Sequence, residues 1–228
     1  IAHSDYLIRI RPGTRFQPHP AFARGPDGTF RYHRLTLGDL AGINRLGDFA
    51  ETGTRELTAE DFAYQVRRLA APWLHSPIAG VMQNYIRGFA ELAKHLESQD
   101  PGDPLARVQM LREASIEGVE VVDRHTLRIQ VNGKYPQFPY WLAMPFFAPM
   151  PWEAEAFYNQ PGMKERNLTL DWYPVGTGPY WLRENNPNLR MVLERNPHFR
   201  GETYPAEGMP GDAEAGLLAD AGKPLPMV

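Results

Sequence analysis

The decisive stretch of this sequence is Pro-Val-Gly-Thr-Gly-Pro-Tyr at residues 174–180, followed by Val-Leu-Glu-Arg-Asn-Pro-His-Phe at residues 192–199. Its Gly-Thr-Gly-Pro segment predicts a tight turn, in which the glycines would either adopt positive φ angles or allow another part of the chain to cross closely. Residues 180–182 and 190–195 predict a pair of strands after this turn. Because strands follow the glycines where a phosphate-binding loop would open a helix, a nucleotide site is not indicated.

Two regions nearer the start of the chain also carry strand patterns. Residues 6–11 alternate apolar and polar side chains and end at a Pro-Gly pair, which predicts a half-buried strand. Residues 118–131 predict a hairpin whose turn is at Asp123-Arg124-His125.

Helical patterns lie between and beyond these strands. Thr58-Ala59-Glu60-Asp61 resembles a capping box and predicts a helix that ends before Pro72. Residues 79–98 have amphipathic spacing throughout, which predicts one helix. Shorter helices are predicted at residues 105–111, 152–158 and 213–221, and residues 17–34 are expected to form a loop with a turn at Asp27-Gly28.

The composition is that of a globular chain. Of the 228 residues, 43% are apolar and 22% are charged, the formal net charge is −3, and there is no cysteine. This balance provides no field that would attract nucleic acid or anionic lipid. No apolar run approaches the roughly 20 residues of a membrane-spanning helix. The chain starts without Met or a leader, so we expect either a processed protein or a piece of a longer one.

Candidate catalytic and metal-binding groups form no recognisable pattern. The seven histidines are scattered, and none forms a pair at the spacing of a zinc site. No serine lies in a Gly-x-Ser-x-Gly motif. Glu153 and Glu155 are two residues apart on a predicted helix and therefore point to different faces. We expect no metal, no cofactor and no catalytic activity.

An aromatic run punctuated by prolines, residues 136–151, is the strongest candidate for a binding surface. Its rings are Phe138, Tyr140, Trp141, Phe146 and Phe147. They could pack in the core and between domains. They could equally form one wall of a ligand cleft, since ligand pockets are mostly apolar with few polar groups. The residues alone leave both interpretations open.

Four segments, in chain order, resemble the family 5 solute-binding proteins of ABC importers, the oligopeptide, dipeptide and nickel group. They are the strand and turn at residues 6–16, the capped helix at 57–69, the hairpin at 118–129, and the stretch at 174–199. The last is the most specific, because it combines the Gly-Thr-Gly-Pro turn, a strand and Leu-Glu-Arg-Asn-Pro. The resemblance covers residues 1–200.

The resemblance implies an α+β fold of mixed sheets with flanking helices, as part of lobe I of a type II periplasmic binding protein. Residues 1–170 would form a subdomain Ib-like unit, with an insertion at 19–56 that the family does not usually have. Residues 171–228 would supply the opening strands of subdomain Ia and a C-terminal segment. Family members are more than twice as long, so by this resemblance residues 1–228 would cover part of lobe I and none of the second lobe. Gly176, Gly178 and Pro179 would serve the fold near the hinge.

The resemblance also implies a function. It predicts a periplasmic receptor that captures a solute and delivers it to an ABC permease of the inner membrane, without itself spanning the membrane. A peptide is favoured over nickel, because no His or Met cluster is present. Tyr140, Phe146 and Phe147 are the expected ligand-binding residues, through apolar contact. The alternative is a structural or protein-interaction module that contacts the permease or another partner, in part through residues 19–56.

Overall fold

A three-stranded antiparallel sheet forms one side of the molecule in the computed structural model, which describes residues 2–224. Its strands are β1 (His3–Arg9), β2 (Val119–Asp123) and β3 (Thr126–Asn132), in the order β1-β3-β2. Every second residue of β3 points into the core, and these side chains are fully buried: Leu127, Ile129 and Val131. The predicted strand at 6–11 and the hairpin at 118–131 are confirmed, although β1 itself ends at Arg9.

Helix α1 (Ala59–Leu69) packs against this sheet and begins as its sequence predicts. Thr58 caps it, and the Asp61 carboxylate accepts a hydrogen bond from the Thr58 backbone N–H at 2.8 Å. In return, the Thr58 side chain accepts a hydrogen bond from the Asp61 backbone N–H. The two bonds satisfy amide groups that the start of a helix leaves without partners. The capping box is therefore confirmed.

The predicted single helix at 79–98 is wrong, because the chain leaves the helical path at residues 86–88. It forms α2 (Ala79–Tyr85) and α3 (Phe89–Ser98). Between them the Arg87 N–H donates to the Gln130 carbonyl at 3.2 Å, and Ile86 bridges to Val131. Gly88 then takes φ 78°, a left-handed conformation that costs glycine little. Pairing with β3 thus overrides the helical periodicity.

The remaining helices are short. They are α4 (Pro104–Glu113), α5 (Phe138–Trp141) and α6 (Trp152–Tyr158), with a 3₁₀ turn at Pro145–Phe147. The helix expected at 213–221 is absent from the described part of the chain, which forms consecutive turns there. Gly216, with φ 77°, lies in the middle of that segment and takes the backbone out of the helical region. No helix within residues 2–224 is long and apolar enough to cross a membrane.

Residues 19–56, expected as an insertion, are built into the core. The chain leaves and returns side by side, with Arg15 bridged to Glu56 and His19 to Gly53. The segment between them, residues 19–56, is called the excursion, and it buries large apolar side chains: Phe22, Leu40, Leu46 and Phe49. Its interior is therefore part of the fold, and its deletion would remove core side chains.

A second sheet consists of the hairpin β4 (Tyr180–Asn186) and β5 (Arg190–Arg195), which confirms the predicted strand pair. Gln17 ties the segment before it to the rest of the molecule. Its backbone N–H donates to the Gly176 carbonyl at 2.9 Å, and its side chain bonds the Pro174 carbonyl and the Gly176 N–H at 3.2 and 3.0 Å. Gln17 is buried, and these three hydrogen bonds satisfy its backbone N–H and its side-chain amide.

The conformational role predicted for Gly176 and Gly178, positive φ or a close chain crossing, is wrong. Neither is among the glycines with positive φ, and a Cβ on either would meet no atom closer than 4.0 Å. The turn is held instead by Asn196, whose side chain donates to the Gly178 carbonyl at 2.9 Å and whose N–H donates to the Pro179 carbonyl at 2.7 Å. Asn196 is almost fully buried.

Candidate functional site

A cavity of about 380 Å³ opens beside the C-terminal end of β1, the start of α1 and the aromatic run. Its volume is within the range of small-molecule sites. It is lined by Ile8, Arg9, Ile10, Arg11, Thr14, Leu57, Phe62, Leu127, Leu142, Phe147, Thr177 and Arg200. These residues come from six separate parts of the chain, so only the fold brings them together.

The walls of this cavity are apolar. Ile8 of β1 lies opposite Leu127 of β3 in the strand register, and both face the core side of the sheet. Phe62 on the first turn of α1 and Phe147 at the 3₁₀ turn extend the walls. An apolar group that enters this space leaves water, which is favourable by about 25 cal/mol for each Å² buried.

The polar lining consists of two threonines, Thr14 and Thr177, and three arginines. The arginines are Arg9, Arg11 and Arg200, and no Asp or Glu of residues 2–224 lines the cavity. Within residues 2–224, the side chains of Arg9 and Arg11 make no ion pair or hydrogen bond, whereas Arg200 pairs with Glu202 at 2.9 Å. The nearby acid, Glu56, is occupied by the Gly13 N–H, Arg124 and His125. The charged residues of the lining are therefore all arginines, and the Arg9 side chain, between those of Ile8 and Ile10, points to the opposite face of β1.

The structure separates the three predicted site residues. Phe147 is 2% exposed, lines the cavity, and makes an edge contact with Phe138 at 6.2 Å between ring centroids. Phe146 is half-buried against Trp141, outside the cavity lining. Tyr140 is 73% exposed and does not line the cavity. The aromatic run is thus partly core and partly surface, and one of its rings faces the cavity.

Helix α1 holds the aromatic run in place. The Gln65 side-chain amide donates to the Phe146 carbonyl at 2.8 Å, and the Met150 N–H donates to the Asp61 carbonyl at 3.1 Å. These two bonds fix the backbone on both sides of the Phe147 ring. The position of Phe147 beside the cavity therefore depends on α1.

A buried ion network anchors the start of α1 to α6 and to the excursion. The Arg55 guanidinium binds both oxygens of Asp61, at 2.5 and 2.9 Å, and both oxygens of Glu153, at 2.6 and 2.7 Å. Burial opposes the Arg55 charge, but the hydrogen bonds and charges of the two carboxylates outweigh it and raise the pKa of Arg55 above its ordinary value. Glu155 faces elsewhere and accepts from Tyr64 at 2.6 Å. Glu153 and Glu155 do point to different faces.

His19 is fully buried and both ring nitrogens are used. Nδ1 accepts from the Ala21 N–H at 3.1 Å, so Nε2 carries the proton and donates to the Tyr158 hydroxyl at 2.8 Å. Tyr158 in turn donates to the Tyr173 carbonyl at 2.8 Å. Burial lowers the pKa of His19 to about 3. No cluster of three or more His, Cys, Asp or Glu side chains that could hold a metal is found among residues 2–224.

A second cavity, of about 470 Å³, lies beside the β4–β5 hairpin and is mostly polar. Much of its lining is already engaged: Arg190 pairs with Glu184 at 2.8 Å, and the Asn185 amide donates to the Trp172 carbonyl at 2.7 Å. It offers fewer free groups to a ligand than the first cavity.

Sequence reasoning found one of the twelve residues that line the first cavity. The cations at 9 and 11 were visible as the polar half of an alternating strand, which is ordinarily a solvated face. Nothing in the sequence links them to Thr177 or Arg200. Such a link is a contact between residues far apart in the chain, and a single sequence does not reveal it.

Comparison with known proteins agrees with the resemblance noted in the sequence. The family model described as "Bacterial extracellular solute-binding proteins, family 5 Middle" matches residues 51–209, which is more than half of the chain. The periplasmic oligopeptide-binding protein OppA of Escherichia coli (strain K12) is 30% identical over 144 residues, 63% of this chain and 23% of OppA. The periplasmic murein peptide-binding protein MppA of the same strain is 32% identical over 143 residues, again 63% and 23%. The chain thus spans about a quarter of the length of these curated relatives.

Solved structures agree on the fold. The substrate-binding domain of an oligopeptide ABC transporter from Bacillus anthracis str. Ames superposes with a TM-score of 0.50 at 17% identity, over 86% of this chain and 27% of that one. Listeria monocytogenes OppA bound to peptide gives 0.50 at 15% identity, over 86% and 28%. The mixed helices and sheets are thus part of a type II periplasmic binding protein fold, as expected. The chain belongs to the family 5 bacterial extracellular solute-binding proteins.

Proposed function

We propose that this chain is part of the periplasmic solute-binding component of an ABC importer, which captures a peptide-type solute and delivers it to a permease without chemical change. The observation that carries the proposal is the apolar cavity lined by Phe147 in a chain of this family. The names of the relatives support a peptide solute, since they describe oligopeptide and murein peptide binding.

The predicted contact residues take different parts in this proposal. Phe147 gives the solute an apolar surface within the cavity. The Phe146 ring contacts the Phe147 ring, and the Phe146 carbonyl accepts a hydrogen bond from the Gln65 side-chain amide. Tyr140, exposed on the same run, is available to a solute or to a part of the receptor that closes over it. The division into a unit at 1–170 and a unit at 171–228 stays a prediction.

The test is calorimetric titration of the 228-residue chain with the tripeptide Ala-Phe-Ala, together with its melting temperature. We expect saturable binding that Phe147→Ala weakens by about tenfold or more, the range for loss of a buried aromatic contact. Phe147→Leu keeps apolar volume and separates lost contact from lost folding. Leu193→Ala, on β5 and 59% exposed, is the matched control. A folded chain that binds no peptide, or Phe147 variants that bind as wild type does, would refute the proposal.

A further inference from the structure

We infer that two copies of this chain associate through antiparallel pairing of their β5 strands, which joins the two β4–β5 hairpins into one four-stranded sheet with Val192 on the two-fold axis. This association does not depend on what the first cavity binds. Four features of the hairpin carry the inference: the open edge of β5, the direction of its backbone groups, its exposed apolar side chains and the order of its charges.

Strand β5 is the outer strand of the hairpin. The second sheet consists of β4 and β5 alone, and no bridge or backbone hydrogen bond from elsewhere in residues 2–224 reaches Arg190–Arg195. Strand β4 lies against the rest of the molecule instead: the Asn185 amide donates to the Trp172 carbonyl at 2.7 Å, and Glu184 pairs with Arg45 of the excursion at 3.6 Å. The open edge of the hairpin is therefore that of β5, and an open edge pairs readily with another extended chain.

The backbone groups of β5 face this edge at every second residue. The Asn196 N–H donates to the Pro179 carbonyl at 2.7 Å, so these two residues form a hydrogen-bonded pair. Hydrogen-bonded and non-hydrogen-bonded pairs alternate along an antiparallel ladder. Counted back along β5 from Asn196, the N–H and C=O groups of Leu193 and Met191 therefore point away from β4. The bulge of the hairpin does not disturb this alternation, because its extra residue is on β4.

The centre of this edge is apolar and exposed. Met191 and Leu193 share one face of β5 and are 57% and 59% exposed. With Val192 between them, they form a run without a charge or a proline, the residues that usually protect an edge strand from pairing. In two β5 strands centred on Val192, Met191 of each copy lies opposite Leu193 of the other. This pairing uses the outward backbone groups of both residues and brings their side chains into contact across the strands.

The charges of β5 match in this register. With Val192 on the axis, Arg190 of each copy lies opposite Glu194 of the other, on the face of the sheet that carries Val192. Within its own chain Arg190 pairs with Glu184, and Glu194 pairs with Arg183. The signs therefore alternate across the joined sheet, and the same surface serves both copies, as a closed two-fold dimer requires.

The neighbouring registers lack this match. A pair of strands centred on Leu193 would set Glu194 opposite Val192, and one centred on Met191 would set Arg190 opposite Val192. A pair centred between two residues would place a backbone group that faces the edge opposite one that faces β4, so the ladder could not form. Backbone direction and charge thus select the same register.

The first test is disulfide cross-linking. The chain has no cysteine, so one introduced Cys can form a protein–protein disulfide only between copies. Residues opposite each other at a non-hydrogen-bonded position have Cα atoms about 4.5 Å apart, within the range of a disulfide. We expect Val192→Cys, shown to be folded by circular dichroism, to cross-link in a glutathione buffer about tenfold faster than Arg195→Cys, or more. That control is on the same strand, but in this register its two copies are roughly 20 Å apart. Equal rates would overturn the inference.

The second test is sedimentation velocity of the unaltered 228-residue chain. We expect a monomer at about 2 µM and mostly dimer at about 200 µM, because one strand and two apolar side chains from each copy form a small contact. Met191→Lys places a charge in the paired edge and should stay monomeric at the higher concentration. Leu37→Lys, at an exposed leucine outside the hairpin, is the matched control and should dimerise as the wild type does. A wild-type chain that is monomeric at the higher concentration, or a dimer that persists in folded Met191→Lys, would overturn the inference.

Discussion

Replacement of Arg55 by Met should destabilise the protein severely, because it would strand two buried carboxylates. Asp61 and Glu153 are 2% and 3% exposed. Each receives two charged hydrogen bonds from the guanidinium, at 2.5 to 2.9 Å. Loss of one partner from a buried ion network costs about 3–5 kcal/mol, since the remaining charges stay out of water without compensation.

Chemical denaturation by urea, followed by far-UV circular dichroism at pH 7, measures this loss. The control is Arg183→Met, which removes a surface pair with Glu194 whose side chains are 55% and 38% exposed. It should cost less than about 1 kcal/mol. A deficit below about 1 kcal/mol for Arg55→Met, or one no larger than that of Arg183→Met, would refute the reasoning.

Three further predictions concern stability. Burial lowers the folded pKa of His19 from 6.5 to about 3 and that of His33 to about 4, so the unfolded chain binds the extra protons, and His19 alone should make stability fall by about 1.4 kcal/mol for each pH unit below 6.5. Urea titrations from pH 7 to 5 should show at least this slope, and His19→Gln should reduce it by about 1.4 kcal/mol for each pH unit; an unchanged slope in the variant would contradict this. Gly88→Ala should cost more than Gly13→Ala, since both have φ near 78° but only Gly88 has a backbone atom within 2.9 Å of the new Cβ; equal melting temperatures would contradict this. Leu40→Ala, at a fully buried site, should lower the free energy of unfolding by about 2–5 kcal/mol. Leu37→Ala, at a site that is 64% exposed, should lower it by under about 0.5 kcal/mol. Similar losses for the two variants in urea denaturation would show that residues 19–56 are not part of the core.

Local signals predicted much of the fold. Alternation identified β1 and the hairpin, and the Thr58 capping box located the start of α1. These signals succeed because the chemistry that decides them lies within a few residues. They fail at 86–88, where the cause is a bond to the Gln130 carbonyl more than forty positions away. They fail again at Gly176 and Gly178, whose turn is held by Asn196.

The site shows the same division. Phe147 was predicted from its place in an aromatic run, and the structure puts its ring at the cavity. Tyr140, chosen on the same ground, is on the surface. A run of aromatic residues indicates that some are buried, but which rings face inward depends on the tethers to Gln65 and Asp61. The direction in which each of these rings points is therefore set by the tertiary structure.

By itself, then, the sequence determined the family, the fold class and most strand and helix positions, because motif spacing and hydrophobic period are written along the chain. Tertiary structure alone decided that residues 19–56 belong to the core and that Arg55 joins Asp61 to Glu153. It also decided that Arg9 and Arg11 border the apolar cavity that Arg200 also lines. The reason is that burial and charge pairing depend on distances through space, and residues far apart in the chain set those distances only when the whole core has formed.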